Sequence, residues 1–134
     1  MLLLDTHAAI WLAQKEPMRR EAIAAIDQAR DKDRVLLSAA SVWELSTLIA
    51  KRRITLDRPL GSWVRMFVTS KGFDSVALTV AIAVEASEIP LRLLKDPADR
   101  FLVATARHLG IPLVTRDKRI LEYAAAGHLR VVKC

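Results

Sequence analysis

The sequence predicts an α/β protein built on a mainly parallel β-sheet with helices on both of its faces. Three observations predict it. Five short apolar runs, most of them continuous rather than alternating, have the pattern of strands covered on both sides. Segments of helical periodicity separate these runs. Most of the connections are long enough for two helices, and right-handed crossovers then distribute helices to both faces.

In chain order, Leu2–Asp5 is the first strand. Thr6 to Gln14 reads as a helix that stops before Pro17, and an Ala-rich helix from about Arg19 to Arg30 sets Ile23 and Ile26 on one side. Arg34–Ser38 is the second strand. Ser41 to Arg52 follows as a helix with Leu45, Leu48 and Ile49 at helical spacing, and Leu60 to Ser70 as another. Phe73–Leu78 is the third strand and Val80 to Ser87 a short helix. Pro97 to Leu109 is the best-delimited helix: Asp96 caps it, Pro97 suits its first position and Gly110 ends it. Pro112–Thr115 is the fourth strand, Lys118 to Ala125 a helix closing at Gly127, and Arg130–Lys133 the fifth strand. The Lys51–Leu60 segment is too short to divide domains, and no repeat or low-complexity stretch occurs, so residues 1–134 are expected to form one domain.

Composition bounds the function. At 134 residues and 52% hydrophobic, the chain is large and apolar enough to bury a core without disulfides. Its one cysteine, Cys134, excludes an internal disulfide framework, fits a reducing cytoplasm and is expected to be a frayed, exposed thiol. No segment reaches the ~18 apolar residues of a membrane span. Met1–Leu4 has no basic flank and Asp5 interrupts it, unlike a signal peptide. The net charge of +6 favours polyanions, nucleic acid first. The tight run Lys51-Arg52-Arg53 reads as a solvated helix end, and His7, His108 and His128, which lack ligand spacing, as surface or helix-end residues.

Against this basic background the acids gather. Asp5 ends the first strand, Glu44 and Asp99 fall in first turns of helices, and Asp117 follows the fourth strand. Ligands of open parallel sheets bind outside the carboxyl ends of the strands, the edge to which Asp5, Glu44 and Asp117 belong. Asp99 joins them if its helix starts there. Each acid also has a structural explanation. Ser41-Val42-Trp43-Glu44 matches a capping box, Asp96 and Asp99 can cap, and Asp117 can complement a helix dipole for about 0.3–1 kcal/mol. Asp5 is harder to explain in this way. At the end of a buried strand its carboxylate needs a cation or hydrogen bonds, and the other acids supply neither. Clustered carboxylates in a basic chain suggest Mg²⁺ or Mn²⁺, since zinc prefers histidine and cysteine.

Taken in order, these segments resemble the PIN-domain ribonucleases. Leu-Leu-Leu-Asp-Thr-His is similar to their first motif, Ser-Val-Trp-Glu-Leu to the second, Asp96-Pro97-Ala98-Asp99-Arg100 to the third and Leu-Val-Thr-Arg-Asp to the fourth. The match runs from Leu2 to about Val132, and the chain looks like a VapC-type toxin of a toxin–antitoxin pair. The resemblance implies a three-layer α/β/α sandwich with strand order 3-2-1-4-5 and metal binding by Asp5, Glu44, Asp99 and Asp117. It also implies a homodimer, a small antitoxin partner and RNA cleavage leaving 5′-phosphate and 3′-hydroxyl ends. Relatives often carry a histidine shortly before the third motif. Leu93-Leu94-Lys95 stands there instead, so their substrate preference does not carry over.

The expected reaction is metal-dependent endonucleolytic cutting of structured RNA, such as tRNA or rRNA. Thr6 and Thr115 are candidates to orient the acids, Thr6 equally a plain N-cap; Asp96 is a helix cap first and an outer metal ligand second; and Arg100, Arg116, Lys118 and Arg119 are candidates to contact phosphates or remain solvated. Trp11, Trp43, Trp63, Met66 and Phe67 are divided between the core and an antitoxin-binding groove. A non-catalytic RNA- or protein-binding module and a DNA-directed nuclease of the same fold stay open as alternatives. A phospho-acceptor receiver domain fits poorly, because Asp5 lacks the acidic neighbour such a domain needs.

Overall fold

A computed structural model describes residues 1–32 and 34–134. Its strands are β1 (Leu2–Leu4), β2 (Val35–Ser38), β3 (Phe73–Val76), β4 (Leu113–Thr115) and β5 (Val131–Lys133). The helices are α1 (Thr6–Ala13), α2 (Arg20–Lys32), α3 (Ala39–Ala50), α4 (Leu60–Thr69), α5 (Val80–Ser87), α6 (Pro97–Leu109) and α7 (Lys118–Ala125). The five strands form one sheet in the order β3-β2-β1-β4-β5. Every pairing is parallel, with Leu3 opposite both Leu36 and Leu113. This is the order that the family resemblance implies.

Side-chain alternation along the strands divides the core into two layers. Leu2, Leu4, Val35 and Leu37 face one side and pack with residues of α1 to α4, including Leu45, Trp63 and Phe67. Leu3, Leu36 and Leu113 face the other and pack with α5, α6 and α7, including Ile82, Leu102 and Ile120. Both faces of β1 are therefore covered, which accounts for an unbroken Leu-Leu-Leu run in a three-residue strand. Trp63 and Phe67 stack at 5.3 Å, and Phe67 meets Phe73 edge-on at 5.0 Å, joining α4 to the edge strand β3. No helix among the described residues is long and apolar enough to cross a membrane.

Two expectations are corrected. The helix after the second strand begins at Ala39 rather than Ser41, because Ser38 caps it: the Ala40 N–H donates to Ser38 Oγ at 3.0 Å. β2 thus runs into α3 without a loop. The Ser41 hydroxyl instead accepts from Thr6 Oγ1 at 2.9 Å. No Ser41–Glu44 capping box forms, and Glu44 lies in the second turn, released from any capping duty. The second correction concerns Cys134, which is buried rather than frayed. Its N–H donates to the Thr115 carbonyl at 3.0 Å, extending the β4–β5 ladder, and burial pushes its thiol up from the ordinary range.

Candidate active site

The sheet reverses its winding between β1 and β4, and a crevice opens there beyond the strand ends. Asp5 continues β1 into it: its N–H donates to the Val114 carbonyl at 2.9 Å, one step further along the ladder. Asp5 occupies the N-cap position of α1, yet its carboxylate makes no capping bond. It accepts instead from Thr115 Oγ1 at 2.6 Å. Thr115 Oγ1 in turn accepts from the Asp117 N–H at 3.1 Å. One β4 hydroxyl therefore fixes both the Asp5 carboxylate and the backbone that carries Asp117.

The other acids arrive on helix starts. Asp117 caps α7, its Oδ1 accepting from the N–H groups of Arg119 at 2.9 Å and Ile120 at 3.1 Å. Asp96 caps α6 by accepting from the Asp99 N–H at 3.0 Å, the role its sequence position predicts. With that cap in place, the Asp99 side chain is not required for capping. It enters the same cleft as Asp5, Glu44 and Asp117, a space of about 270 Å³ whose walls also include Asp96, His7, Trp11 and Arg116.

A larger cavity of about 770 Å³ lies beside α5 and α6. Two pairs of its polar groups meet: Arg107 donates to the Tyr123 hydroxyl at 2.5 Å, and His108 meets Glu85 at 2.8 Å. In the smaller cleft, none of the four acids is ion-paired among the described residues. The larger cavity thus holds paired polar groups, and the smaller cleft gathers acids that are not ion-paired.

The imbalance appears in the proton affinities. Burial raises the Asp5 carboxyl above its ordinary range; the Thr115 hydroxyl, His7 and the Thr6 backbone pull it partly back, and Asp117 pushes it up. Burial also raises Glu44, with the Thr6 hydroxyl opposing and the charges of Asp5 and Asp96 adding to the rise. Asp99 is pushed up to about 8, first by burial and then by Asp96, Asp117, Asp5 and Glu44. All three carboxyls are thus held above their ordinary range, by burial first and by the negative charge of neighbouring acids second.

The donor chemistry fits a hard divalent ion: carboxylate oxygens, no thiolate, and excess negative charge. Among the described residues no group of three or more His, Cys, Asp or Glu side chains is set to hold a metal ion as it stands. The cleft is instead open enough for an ion that retains several of its waters, as Mg²⁺ does. Asp5, Glu44, Asp99 and Asp117 are the residues that would hold it.

The basic residues near the motifs divide sharply. Arg100 is neither solvated nor free for phosphate, because it donates to the carbonyls of Leu94 at 2.7 Å, Ala86 at 2.8 Å and Ser87 at 3.3 Å. It ties the α5–α6 connection to the start of α6. Arg116 lies over the Trp11 ring at 3.7 Å and donates to the carbonyls of Cys134 and Pro17. Lys118 and Arg119 are exposed. Of the large apolar groups, Trp63 and Phe67 are core, Trp11 and Met66 are partly buried, and Trp43 is 70% exposed beside Glu44. His7 and Trp11 are cleft residues that the acidic pattern alone does not reveal. Their four-residue spacing, beginning two residues after Asp5, is the sequence signal that points to them.

A doubly wound sheet in this strand order, with carboxylates converging at the switch point, defines a PIN-type domain. The chain belongs to the PIN-domain family, whose model matches residues 2–126. It is 35% identical over 119 residues to Ribonuclease VapC22 of Mycobacterium tuberculosis, covering 89% of this chain and 88% of that one. It is therefore a VapC-type member. Solved structures share the fold. VapBC2 of Rickettsia felis, bound to a promoter DNA fragment, superposes with a TM-score of 0.72 at 13% identity, over 98% of this chain and 97% of that one. DNA-bound VapBC of Salmonella typhimurium gives 0.67 at 17% identity, over 98% and 96%.

Proposed function

We propose that this chain is a divalent-metal-dependent endoribonuclease, the toxin of a toxin–antitoxin pair, that cuts structured RNA such as tRNA or rRNA at a single-stranded segment. One observation carries the reading: four carboxylates without ion-pair partners among the described residues share one cleft of a chain whose net charge is +6. The ribonuclease and the VapBC structures named above support it. On this reading residues 1–134 act as one domain, in the cytoplasm, as a homodimer restrained by a small antitoxin. The exposed Trp43, next to Glu44, is a candidate contact for that antitoxin.

A bound Mg²⁺ or Mn²⁺ supplies Lewis acidity, a lowered water pKa and neutralisation of developing charge. The chain's own residues set the geometry. Asp5 is fixed by Thr115, and Glu44 is fixed by a helix that continues β2. Asp99 and Asp117 close the opposite side from the starts of α6 and α7. Asp99 releases its proton when positive charge enters the cleft. Lys118 and Arg119 are positioned in sequence to take flanking phosphates, and RNA is most accessible at loops, where bases are unstacked.

The test is incubation with a small-RNA pool and Mg²⁺ or Mn²⁺, followed by mapping of the new ends. Cutting should leave 5′-phosphate and 3′-hydroxyl, stop with chelator, weaken with salt, and vanish in Asp5→Asn with circular dichroism unchanged. Ends carrying 2′,3′-cyclic phosphate would replace activated water by the RNA's own 2′-hydroxyl. Equal cutting of single-stranded DNA would overturn the RNA assignment.

A further inference from the structure

We infer that His7 is a base-stacking residue: its imidazole forms the platform on which an unpaired nucleobase beside the cut phosphate lies. The inference rests on the ribonuclease reading and names a recognition element within that same cleft. His7 is exposed and lines the space that holds the four acids. Its position is fixed by the fold, because α1 begins immediately after Asp5 and carries His7 in its first turn. The imidazole makes no hydrogen bond or ion pair among the described residues. Its one ring contact is with Trp11, four residues on, at 5.7 Å between centroids and tilted by 41°.

Trp11 is itself unsuited to be the platform. It is partly buried against the core, and the Arg116 guanidinium covers its ring at 3.7 Å. Arg116 is anchored by the Pro17 and Cys134 carbonyls, so this cover is held in place. Trp11 and Arg116 form a rigid backing, and His7 is the aromatic surface left for a ligand at the cleft wall. Aromatic side chains beside a backbone-binding groove hold unpaired bases by stacking, and histidine is among the residues used. A phosphate bound at this cleft has its neighbouring base within one nucleotide of the cleft wall, of which His7 is part. A planar base in a loop fits the site, whereas a base paired in a helix has no free face to offer.

The experiment uses a short single-stranded RNA labelled at one end. Binding is followed by fluorescence anisotropy in the full chain carrying Asp99→Asn, which blocks cutting by removing one of the four acids. Adding His7→Ala should weaken binding about tenfold, the size expected of one stacked base. His7→Phe should restore it, and His7→Gln should not. In the cleaving protein, His7→Ala should raise KM by a similar factor with a smaller effect on kcat, again rescued by Phe. Rescue by Gln but not Phe would mean that a hydrogen bond, not stacking, is at work. An alanine variant that binds as tightly as its parent would overturn the proposal outright. If the protein with His7 and Asp99 intact cuts no RNA, the failure belongs to the ribonuclease reading, and the anisotropy comparison still decides the role of His7.

Discussion

Replacing Asp99 by asparagine should make the metal-free protein more stable, and increasingly so as pH rises. The Asp99 carboxyl is pushed from 3.8 up to about 8 in the folded chain, first by burial and then by four neighbouring acids. A raised carboxyl destabilises the fold as pH climbs above the unfolded value, and the penalty is complete once the folded value is passed. Between pH 5 and pH 7 the unfolded chain has released this proton while the folded chain retains it. Two pH units at 1.36 kcal/mol each set a ceiling of ~2.7 kcal/mol. Because Asp99 is only partly buried, solvent screening reduces this to about 1–2 kcal/mol. For a chain of this size that corresponds to roughly 3–8 °C in Tm. The assay is thermal unfolding of both proteins in chelator across this pH range. The gap in Tm between Asp99→Asn and its parent should widen by that amount from pH 5 to pH 7. Millimolar Mg²⁺ or Mn²⁺ should then stabilise the parent and leave the variant nearly unmoved. A gap that stays constant or narrows with pH would refute the claim that the cleft holds Asp99 protonated.

Thr115→Val removes the hydroxyl that joins Asp5 to the Asp117 backbone; it should cost about 1–3 kcal/mol in denaturant unfolding and lower RNA cutting about 10–100-fold, with Thr115→Ser recovering most of both. Arg100→Ala strips three carbonyls of their donor and should cost about 2–4 kcal/mol. The salt dependence of RNA binding should nevertheless not change, as it would if Arg100 contacted phosphate. Gly72→Ala should be strongly destabilising, about 2–4 kcal/mol by chemical denaturation. Gly72 has φ of 85°, and a Cβ there would run into the Arg30 backbone at the point where the Gly72 carbonyl accepts from Val35.

Much of the fold was legible because the elements announce themselves locally. The Asp96–Pro97 start and Gly110 stop of α6 are short-range chemistry, and the structure reproduces both, with Gly110 left-handed at φ 67°. The doubly covered β1 was legible from three consecutive leucines. The errors lie where a distant partner decides. Ser38 and Ser41 both follow an apolar run, and local rules do not choose between them as the cap. Thr6, 35 residues from Ser41, engages the Ser41 hydroxyl and leaves the cap to Ser38. Arg100 resembled a surface cation because its acceptors are carbonyls at the end of another helix. Cys134 resembled a loose end because its ladder partner, Thr115, lies on a different strand. At the cleft, the acids were visible as residues at strand and helix ends. Arg116 stood out in the sequence only as a possible phosphate contact, and its place over Trp11 in the cleft wall beside His7 depends on packing that sequence spacing does not fix.

The first strand of the chain is the middle strand of the sheet, and this orders events during synthesis. β1 finds its first neighbour, β2, about thirty residues later, but its second, β4, only from Leu113. The Asp5 carboxylate acquires its hydroxyl partner with Thr115, and the cleft gains its last acid with Asp117. An emerging polypeptide therefore exposes an unfinished central strand for most of translation, a late closure with high contact order. If the folded chain attacks RNA of the translation machinery, this order would spare the ribosome that makes it, because the proposed centre lacks Thr115 and Asp117 until β4 and the residues after it have been made. Ribosome-bound chains arrested before Asp117 should be inert towards RNA, and those extended far enough to release Cys134 from the exit tunnel should acquire activity.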